Sequence, residues 1–363
     1  MTEWKEYKLG EIVTFQRGHD LPKDKMIDGG IPVAGSNGII GYHNQFTKEG
    51  PGVTIGRSGN IGIPHYYPNA YWAHNTVLYI VDFKGNDAKF MYYLLKTFDF
   101  TQLNTGSAVP SLNRNHIHEL PVSIPDVSTQ RRIASILSSL DDKIDLLHRE
   151  NATLEQMAET LFRQWFVVEA KEEWEEGTIV DLVEFNPTRK LVKGTVAPFL
   201  EMSNLSTSTY SPTYWYDRAY DSGSKFENGD TLLARITPCL ENGKTAYVDF
   251  LCDNQVGWGS TEFIVMHSKL RLHPFFTYVI AKYQDFRDFA ESCMSGSSGR
   301  QRVDVDNLKQ YSMAVPDQST VELFNNRIEN IVSKMHNNNN QIRTLIETRD
   351  GLLPRLMGGE VKL

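Results

Sequence analysis

Residues 125–166 read PDVSTQRRIASILSSLDDKIDLLHRENATLEQMAETLFRQWF. Large, mostly apolar side chains recur here at alternating intervals of four and three residues, from Ile133 to Trp165. A sustained period of 3.5 residues is typical of the seam of a coiled coil. Asp126 or Ser128 can cap the amino end of such a helix. The stretch therefore predicts one helix of about 38 residues, roughly 57 Å long.

The pattern occurs a second time, 191 residues further along the chain, and Pro125 and Pro316 are separated by the same offset. Ser319 with Glu322 predicts a capping box for the second helix, and Gly358-Gly359 predicts its end. The predicted seam consists of Ile133, Leu137, Leu140, Ile144, Leu147, Leu154 and Leu161 in the first helix and of Ile328, Ile331, Met335, Ile342, Leu345 and Leu352 in the second. Asn151 also lies on the seam, where it is either a polar pair that sets the register or a solvated position near a helix end.

The short connections predict how the two helices run. Residues 167–173 are the only link between the first helix and the domain that begins near Trp174. That domain must therefore follow the far end of the first helix, and the second helix can pair with the first only by running back. We expect an antiparallel helix pair that holds two globular domains apart, with an approximate two-fold axis. The predicted segments are domain 1 at 1–126, helix 1 at 127–170, domain 2 at 171–316 and helix 2 at 317–363.

Each of the two predicted domains mixes strands with helix, which makes the fold class α/β in the α+β sense. Short β-rich runs lie at 53–55, 76–81, 231–233 and 261–265, between turns rich in Gly, Pro and Asn. One apolar helical stretch follows in each domain, at 89–98 and at 274–289. The domains open alike, at Trp4 and Trp174, but differ in their interiors, which predicts one fold with two specificities.

Composition places few limits on function. Among the 363 residues, 40% are hydrophobic and 23% charged, and the three cysteines have no metal-ligand spacing. No apolar run is long enough for a membrane span, and the amino terminus lacks the pattern of a signal peptide, so we expect a cytoplasmic protein. The net charge of −8 includes no basic tail. A nucleic-acid role would thus need charge organised on surfaces or supplied by a partner.

The sequence gives no support for catalytic residues or for a metal site. Asn242-Gly-Lys-Thr245 resembles part of a phosphate-binding loop, but Pro238 stands where that loop needs Gly. Phe185-Asn-Pro-Thr188 lacks the second proline and the aromatic residue of an adenine methyltransferase motif. We therefore expect a chain that is not an enzyme and that binds no cofactor itself.

Loops rich in Gly, Ser, Asn and Arg recur in both domains, where the backbone can approach a ligand closely. Arg and Asn can bond guanine and adenine edges in a bidentate way, whereas Ser suits phosphates or bases. Any single one of these loops could equally be a simple turn. The candidate DNA-binding residues are Arg17, Ser36, Asn37, Arg57, Ser58, Asn60, Ser107, Asn113, Arg114, Arg189, Lys190, Arg235, Lys244, Ser297, Arg300 and Arg302. His65 and His74 are interpreted as structural or hydrogen-bonding residues.

The helical segments resemble a known family. Residues 125–144 resemble the proximal helix motif of the specificity subunits of type I restriction–modification systems. Residues 154–166 resemble the end of their central conserved region, and residues 352–360 resemble their carboxyl-terminal ending. The second copy departs from the pattern, since Val321 stands where the first has Gln130.

The resemblance implies two target-recognition domains, each of which reads one half of a bipartite, asymmetric site in double-stranded DNA. It also implies that the helix pair sets the spacer and docks two modification subunits and restriction subunits, with S-adenosylmethionine and ATP bound by those partners. The alternatives are a coiled-coil scaffold whose paired domains bind proteins or glycans, and a stand-alone anti-restriction or DNA-binding relative.

Overall fold

The chain forms two units, one of residues 1–144 with 344–363 and one of residues 145–343. They are called unit 1 and unit 2. The structure is a computed structural model and describes residues 4–103, 111–212, 214–269, 271–297 and 299–361. Each predicted long helix contributes to both units. The predicted boundaries treat the helices as segments separate from the domains, and these boundaries stay a prediction.

Unit 1 is built on two sheets that pack with a short helix. Its strands are β1 (Lys5–Lys8), β2 (Thr14–Arg17), β3 (Ile31–Gly35), β4 (Gly38–His43), β5 (Gly52–Gly56), β6 (Pro64–Tyr67), β7 (Trp72–Ala73), β8 (Val77–Asp82) and β9 (Pro121–Ile124), and its shorter helices are α1 (Leu9–Ile12), α2 (Ala88–Lys96) and α3 (Arg114–His118). One sheet has the order β2-β8-β5-β6 and the other β4-β3-β7, while β1 pairs with β9. Phe90 and Leu94 of α2 are buried in the same core as Val53 and Ile80.

The first predicted long helix is observed as α4 (Val127–Phe162), which a π-helical segment (Arg163–Val168) continues. Asp126 caps it, as one of the two predicted alternatives, because its Oδ1 atom accepts the Thr129 N–H at 3.1 Å. The same contacts with Thr129 lower the pKa of the Asp126 carboxyl.

Unit 2 repeats the sheet arrangement of unit 1. Its strands are β10 (Val183–Phe185), β11 (Val196–Leu200), β12 (Tyr216–Ala219), β13 (Ser224–Phe226), β14 (Thr231–Ala234), β15 (Thr245–Tyr247), β16 (Gly257–Gly259), β17 (Phe263–Ser268), β18 (Met294–Ser295) and β19 (Arg302–Val303), and its shorter helices are α5 (Ile179–Leu182), α6 (Phe276–Lys282), α7 (Gln284–Ser292) and α8 (Val305–Leu308). The main sheet has the order β10-β17-β14-β15, and the second has β12-β11-β16-β13.

The two units share one strand topology. In both main sheets, the second strand in the order is antiparallel to its two neighbours. In both second sheets, one strand pairs antiparallel with the next in sequence and parallel with a later one. This common arrangement confirms the prediction that one α+β fold occurs twice. The predicted single helix at 274–289 is wrong, because Tyr283 adopts an extended backbone (φ −64°, ψ 129°) that separates α6 from α7.

The second long helix is observed as α9 (Gln318–Met357) and ends before Gly358 and Gly359, as predicted. The predicted Ser319–Glu322 capping box is wrong. Asp317 caps the helix instead, since its Oδ1 atom accepts the Thr320 N–H at 2.8 Å and also the Ser319 hydroxyl. Donors from Lys171, Ser319, Thr320 and Trp174 hold the pKa of the Asp317 carboxyl well below its usual range.

Within each unit, α4 and α9 run antiparallel, as predicted. In unit 1, Arg349 bonds Asp141 at 2.8 Å. Leu137, earlier on α4, shares a core with Leu356, which lies later on α9. In unit 2, the rings of Phe166 and Phe324 are 5.0 Å apart. Among the predicted seam residues, the buried ones are Ile133, Leu137, Ile144, Leu147, Ile328, Ile331, Met335 and Ile342, and the half-buried ones are Leu140, Leu154, Leu161, Leu345 and Leu352.

Candidate nucleic-acid interface

In unit 1, several candidate residues lie at one edge of the main sheet. The strand β8 is antiparallel to both β2 and β5, so its first residue lies beside the last residues of those two strands. Arg17 ends β2, and Arg57 directly follows β5. The Arg57 N–H donates to the Thr76 carbonyl at 2.8 Å, and the Arg57 carbonyl accepts the Leu112 N–H at 2.9 Å. The backbone of Arg57 is therefore held from both sides.

Two further segments meet the segment that follows β5. Ser58 forms a β-bridge with Ser111, which brings Asn113 and Arg114 to this edge. Asn113 caps α3, since its Oδ1 atom accepts the Asn115 N–H at 3.0 Å. On the other side, the Ser36 side chain lies beside Gly56 and Gly59. The structure thus brings together Ser36, Asn37, Arg57, Ser58, Asn60, Asn113 and Arg114.

Arg17 and Ser107 complete the candidates of unit 1. The Arg17 guanidinium is exposed and lies 4.0 Å from Asp20 in a solvent-exposed ion pair. Such pairs are weak, so Arg17 can exchange this partner for another anion at little cost. Ser107 lies outside the residues that the structure describes.

His65 is a neighbour of this edge that the sequence analysis did not include among the binding candidates. It lies on β6, and its ring is next to Gly38 in the turn that carries Ser36. Burial lowers the pKa of its imidazole, which favours the neutral form. Its Nε2 atom is buried and finds no hydrogen-bond partner among the described residues. No sequence signal distinguishes His65 from His74. His65 comes close to the candidate residues only because β6 packs beside the β3–β4 turn in the folded chain.

In unit 2, Arg235 takes the place that Arg57 has in unit 1. It directly follows β14, the counterpart of β5 in the sheet order. Its N–H donates to the Glu262 carbonyl at 3.0 Å, and its carbonyl accepts the Val303 N–H at 2.8 Å. Glu262 precedes β17 as Thr76 precedes β8. The two arginines are thus fixed by the same pair of backbone hydrogen bonds.

Three other candidates of unit 2 have internal partners. Arg189 bonds the buried Asp230 carboxylate at 2.8 Å, and Arg302 bonds both carboxylate oxygens of Glu262, the shorter distance being 2.7 Å. The Lys244 ammonium donates to the Met202 carbonyl at 2.9 Å. A DNA contact by any of them would have to replace or share these bonds, so their binding role stays a prediction. The remaining candidates of unit 2 are Lys190, Ser297 and Arg300, and all three are exposed.

Within the described part of the chain, no group of three or more His, Cys, Asp or Glu side chains is arranged to hold a metal ion. None of the helices described there is long and apolar enough to cross a membrane. At both sheet edges, polar candidate side chains lie near one arginine whose backbone is fixed by two hydrogen bonds.

Comparison with known proteins agrees with the helix motifs. Residues 1–156 match the family model of the type I restriction modification DNA specificity domain. The type I restriction enzyme MjaIX specificity subunit of Methanocaldococcus jannaschii is 23% identical over 319 residues, which cover 78% of this chain and 71% of that protein. By both comparisons the chain is similar to type I specificity subunits. The HindI specificity subunit of Haemophilus influenzae is 20% identical and aligns with 99% of this chain and with all of its own length.

A solved structure supports the fold along nearly the whole length of this chain. The S subunit of a type I restriction–modification system from M. genitalium matches with a TM-score of 0.61 and 15% identity, and the match covers 98% of this chain and 96% of that one. At this identity the likeness concerns the fold alone. It extends beyond the residues matched by the family model and includes unit 2.

Proposed function

We propose that this chain is the DNA-reading subunit of a type I restriction–modification complex and that it recognises a bipartite, asymmetric site. The observation that carries the proposal is the equivalence of Arg57 and Arg235 in two units with the same strand order. The two units share a strand order and one backbone-fixed arginine, but the side chains around that arginine differ. This arrangement suits two surfaces that read different DNA sequences. Direct readout uses Arg and Asn side chains at base edges, and fixed cations at phosphates hold a protein in register on the duplex.

The same proposal assigns chemistry to the partners of the chain. Two modification subunits supply methyl transfer with their own S-adenosylmethionine, and restriction subunits supply ATP-driven steps. The specificity subunit itself catalyses nothing and acts in the cytoplasm. Because the net charge is −8, the modification subunits also contribute basic surface for DNA retention.

The test is the genome-wide adenine methylome of cells that express this chain with the methyltransferase encoded beside it. The control is the methyltransferase alone. We expect a split, asymmetric methylated motif that appears only when both proteins are present. An assembled, active complex that yields no such motif would contradict the proposal and favour a scaffold that binds proteins or glycans.

A further inference from the structure

A pocket beside Arg235 stands out in an acidic chain. It has a volume of about 330 Å³ and is lined by Asn186, Pro187, Thr188, Arg189, Ser224, Lys225, Arg235, Thr261, Phe263 and Val265. The charged side chains in this lining are all cations, although the chain as a whole carries −8. All of these residues belong to unit 2.

Two of the three cations are not neutralised. Arg189 is paired with Asp230 at 2.8 Å and lies 3.4 Å from Glu227. Among the described residues, by contrast, no carboxylate lies within ion-pair distance of Arg235 or Lys225. The Arg235 Nη2 atom donates to the neutral Val303 carbonyl at 3.1 Å, and its buried Nε atom has no partner in the described part of the chain. An unpaired cation in a half-buried position is unfavourable unless an anion joins it.

Both cations belong to elements that are fixed at the start of β17. Lys225 is the central residue of β13, and its neighbour Ser224 donates its hydroxyl to the Phe263 carbonyl at 3.0 Å. The Arg235 N–H donates to the carbonyl of Glu262, one residue earlier. The Lys225 ammonium also lies 5.6 Å from the centre of the Tyr220 ring. The positive charges are therefore held in place by the backbone before any ligand arrives.

The donor set suits an anion or the acceptor atoms of guanine better than a base edge that presents an amino group. Guanidinium and ammonium groups only donate hydrogen bonds, and the Thr188 and Thr261 hydroxyls can add donors. The lining amide of Asn186 already uses its carbonyl oxygen to accept the Val265 N–H at 3.0 Å. A base edge that presents an amino group needs such an acceptor, whereas a phosphate needs donors alone.

We propose that this pocket binds one phosphate group of the DNA backbone, with Arg235 and Lys225 as its cationic ligands. The inference rests on the proposed function and adds to it in two ways. It assigns a binding role to Lys225, which the sequence did not single out. It also gives Arg235 the task of positioning the DNA, and leaves sequence readout in this unit to exposed neighbours such as Arg300.

The test measures DNA binding by the complex of the full chain with its modification subunits, over a series of salt concentrations. The probes are a duplex that carries the methylated motif and a duplex with the same bases scrambled. For Lys225→Gln we expect the slope of log affinity against log salt to become about 0.9 less steep on both duplexes, and the affinity to fall about eightfold at 0.1 M salt. Lys225→Arg should retain the wild-type slope.

Lys269→Gln is the matched control, because Lys269 follows the opposite end of β17 and donates to the Val180 carbonyl. It should leave the slope unchanged. An unchanged slope for Lys225→Gln, or a loss confined to the motif duplex, would overturn the phosphate proposal while leaving the proposed function intact. A wild-type complex that retains neither duplex overturns both.

A calorimetric titration of the same complex with orthophosphate separates DNA from a free anion as the source of the phosphate. The proposal is wrong if orthophosphate binds, if Lys225→Gln abolishes that binding, and if the same variant leaves the slope of log DNA affinity against log salt unchanged. The pocket would then serve a free anion. Circular dichroism and the melting temperature of each variant establish that the fold is retained.

Discussion

Asn338 on α9 donates its side-chain amide to the Oδ1 atom of Asn151 on α4 at 2.9 Å, and both side chains are buried. The Asn151 amide in turn donates to Asn339 at 2.9 Å, and Asn338 also reaches Glu150 at 3.0 Å. Of the two alternatives for Asn151, the polar pair is therefore correct. Apolar layers tolerate a shift by one heptad, whereas the hydrogen bond between Asn338 and Asn151 forms in only one register.

Replacing one member of this pair should destabilise unit 2 more than replacing both. In Asn338→Leu, the Asn151 Oδ1 atom stays buried and loses its donor, which costs about 1–3 kcal/mol. In Asn151→Leu with Asn338→Leu, the unpaired group is removed, so we expect much of the loss to be recovered. Urea unfolding followed by circular dichroism measures the coupling, and the exposed Asn337→Leu is the control. Additive effects of the two substitutions would contradict the pairing.

Glu155 on α4 should make the stability of unit 2 depend on pH. Burial raises the pKa of its carboxyl to about 7, although the Tyr278 hydroxyl donates to it at 2.8 Å. Between the unfolded pKa near 4.3 and 7, the folded chain binds more protons than the unfolded chain, so stability falls as the pH rises. The full effect is at most about 4 kcal/mol.

Glu155→Gln is the variant that tests this dependence. It keeps an acceptor for Tyr278 but cannot ionise, so it should stabilise the chain at pH 8 and have little effect at pH 4. Urea unfolding at several pH values measures the difference. Glu347→Gln, at an exposed position of α9, is the control. A stabilisation by Glu155→Gln that is equal at both pH values would disprove the ionisation argument.

The long helices could be predicted from sequence because their seam is a local, periodic signal. The equivalence of Arg57 and Arg235 could not, since they lie 178 residues apart whereas the helices repeat at 191. Insertions between strands shift the alignment, and only the shared hydrogen bonds reveal the match. Likewise, the partners of Arg189 and Arg302 lie about 40 residues away in sequence, where composition gives no signal. Candidate binding residues in loops could be proposed from their residue type. The sequence could not show which of them have an internal hydrogen-bond or ion-pair partner.

If each unit serves one half of the DNA site, a substitution in one unit should leave the half-site of the other unit unchanged. Arg57→Ala should weaken or relax only the half-site of unit 1. Arg235→Ala removes a proposed phosphate contact, so it should lower the extent of methylation without relaxing either half-site. A lost base contact costs about 1–3 kcal/mol, which is about 5- to 150-fold in affinity. Methylome motifs from cells that express each variant with the methyltransferase give both half-sites at once. The exposed Arg271→Ala is the control, and a variant that altered both halves would contradict modular reading.

The last prediction concerns the spacer between the half-sites, which the family resemblance implies that the helix pair sets. Asp141 and Arg349 face each other across α4 and α9 in unit 1 at 2.8 Å, so heptads inserted after Leu140 and before Arg349 add matched turns to both helices. Seven residues add about 10.5 Å of helix, which corresponds to roughly three base pairs of DNA. A full heptad keeps the seam in register, because an α-helix drifts by only about 20° over seven residues. The methylated motif should therefore keep both half-sites and gain about three unspecified base pairs.

Inserting the heptad into α4 alone is the control and should abolish methylation, since the two seams no longer match. An unchanged spacer in the double insertion would show that another part of the complex measures the distance.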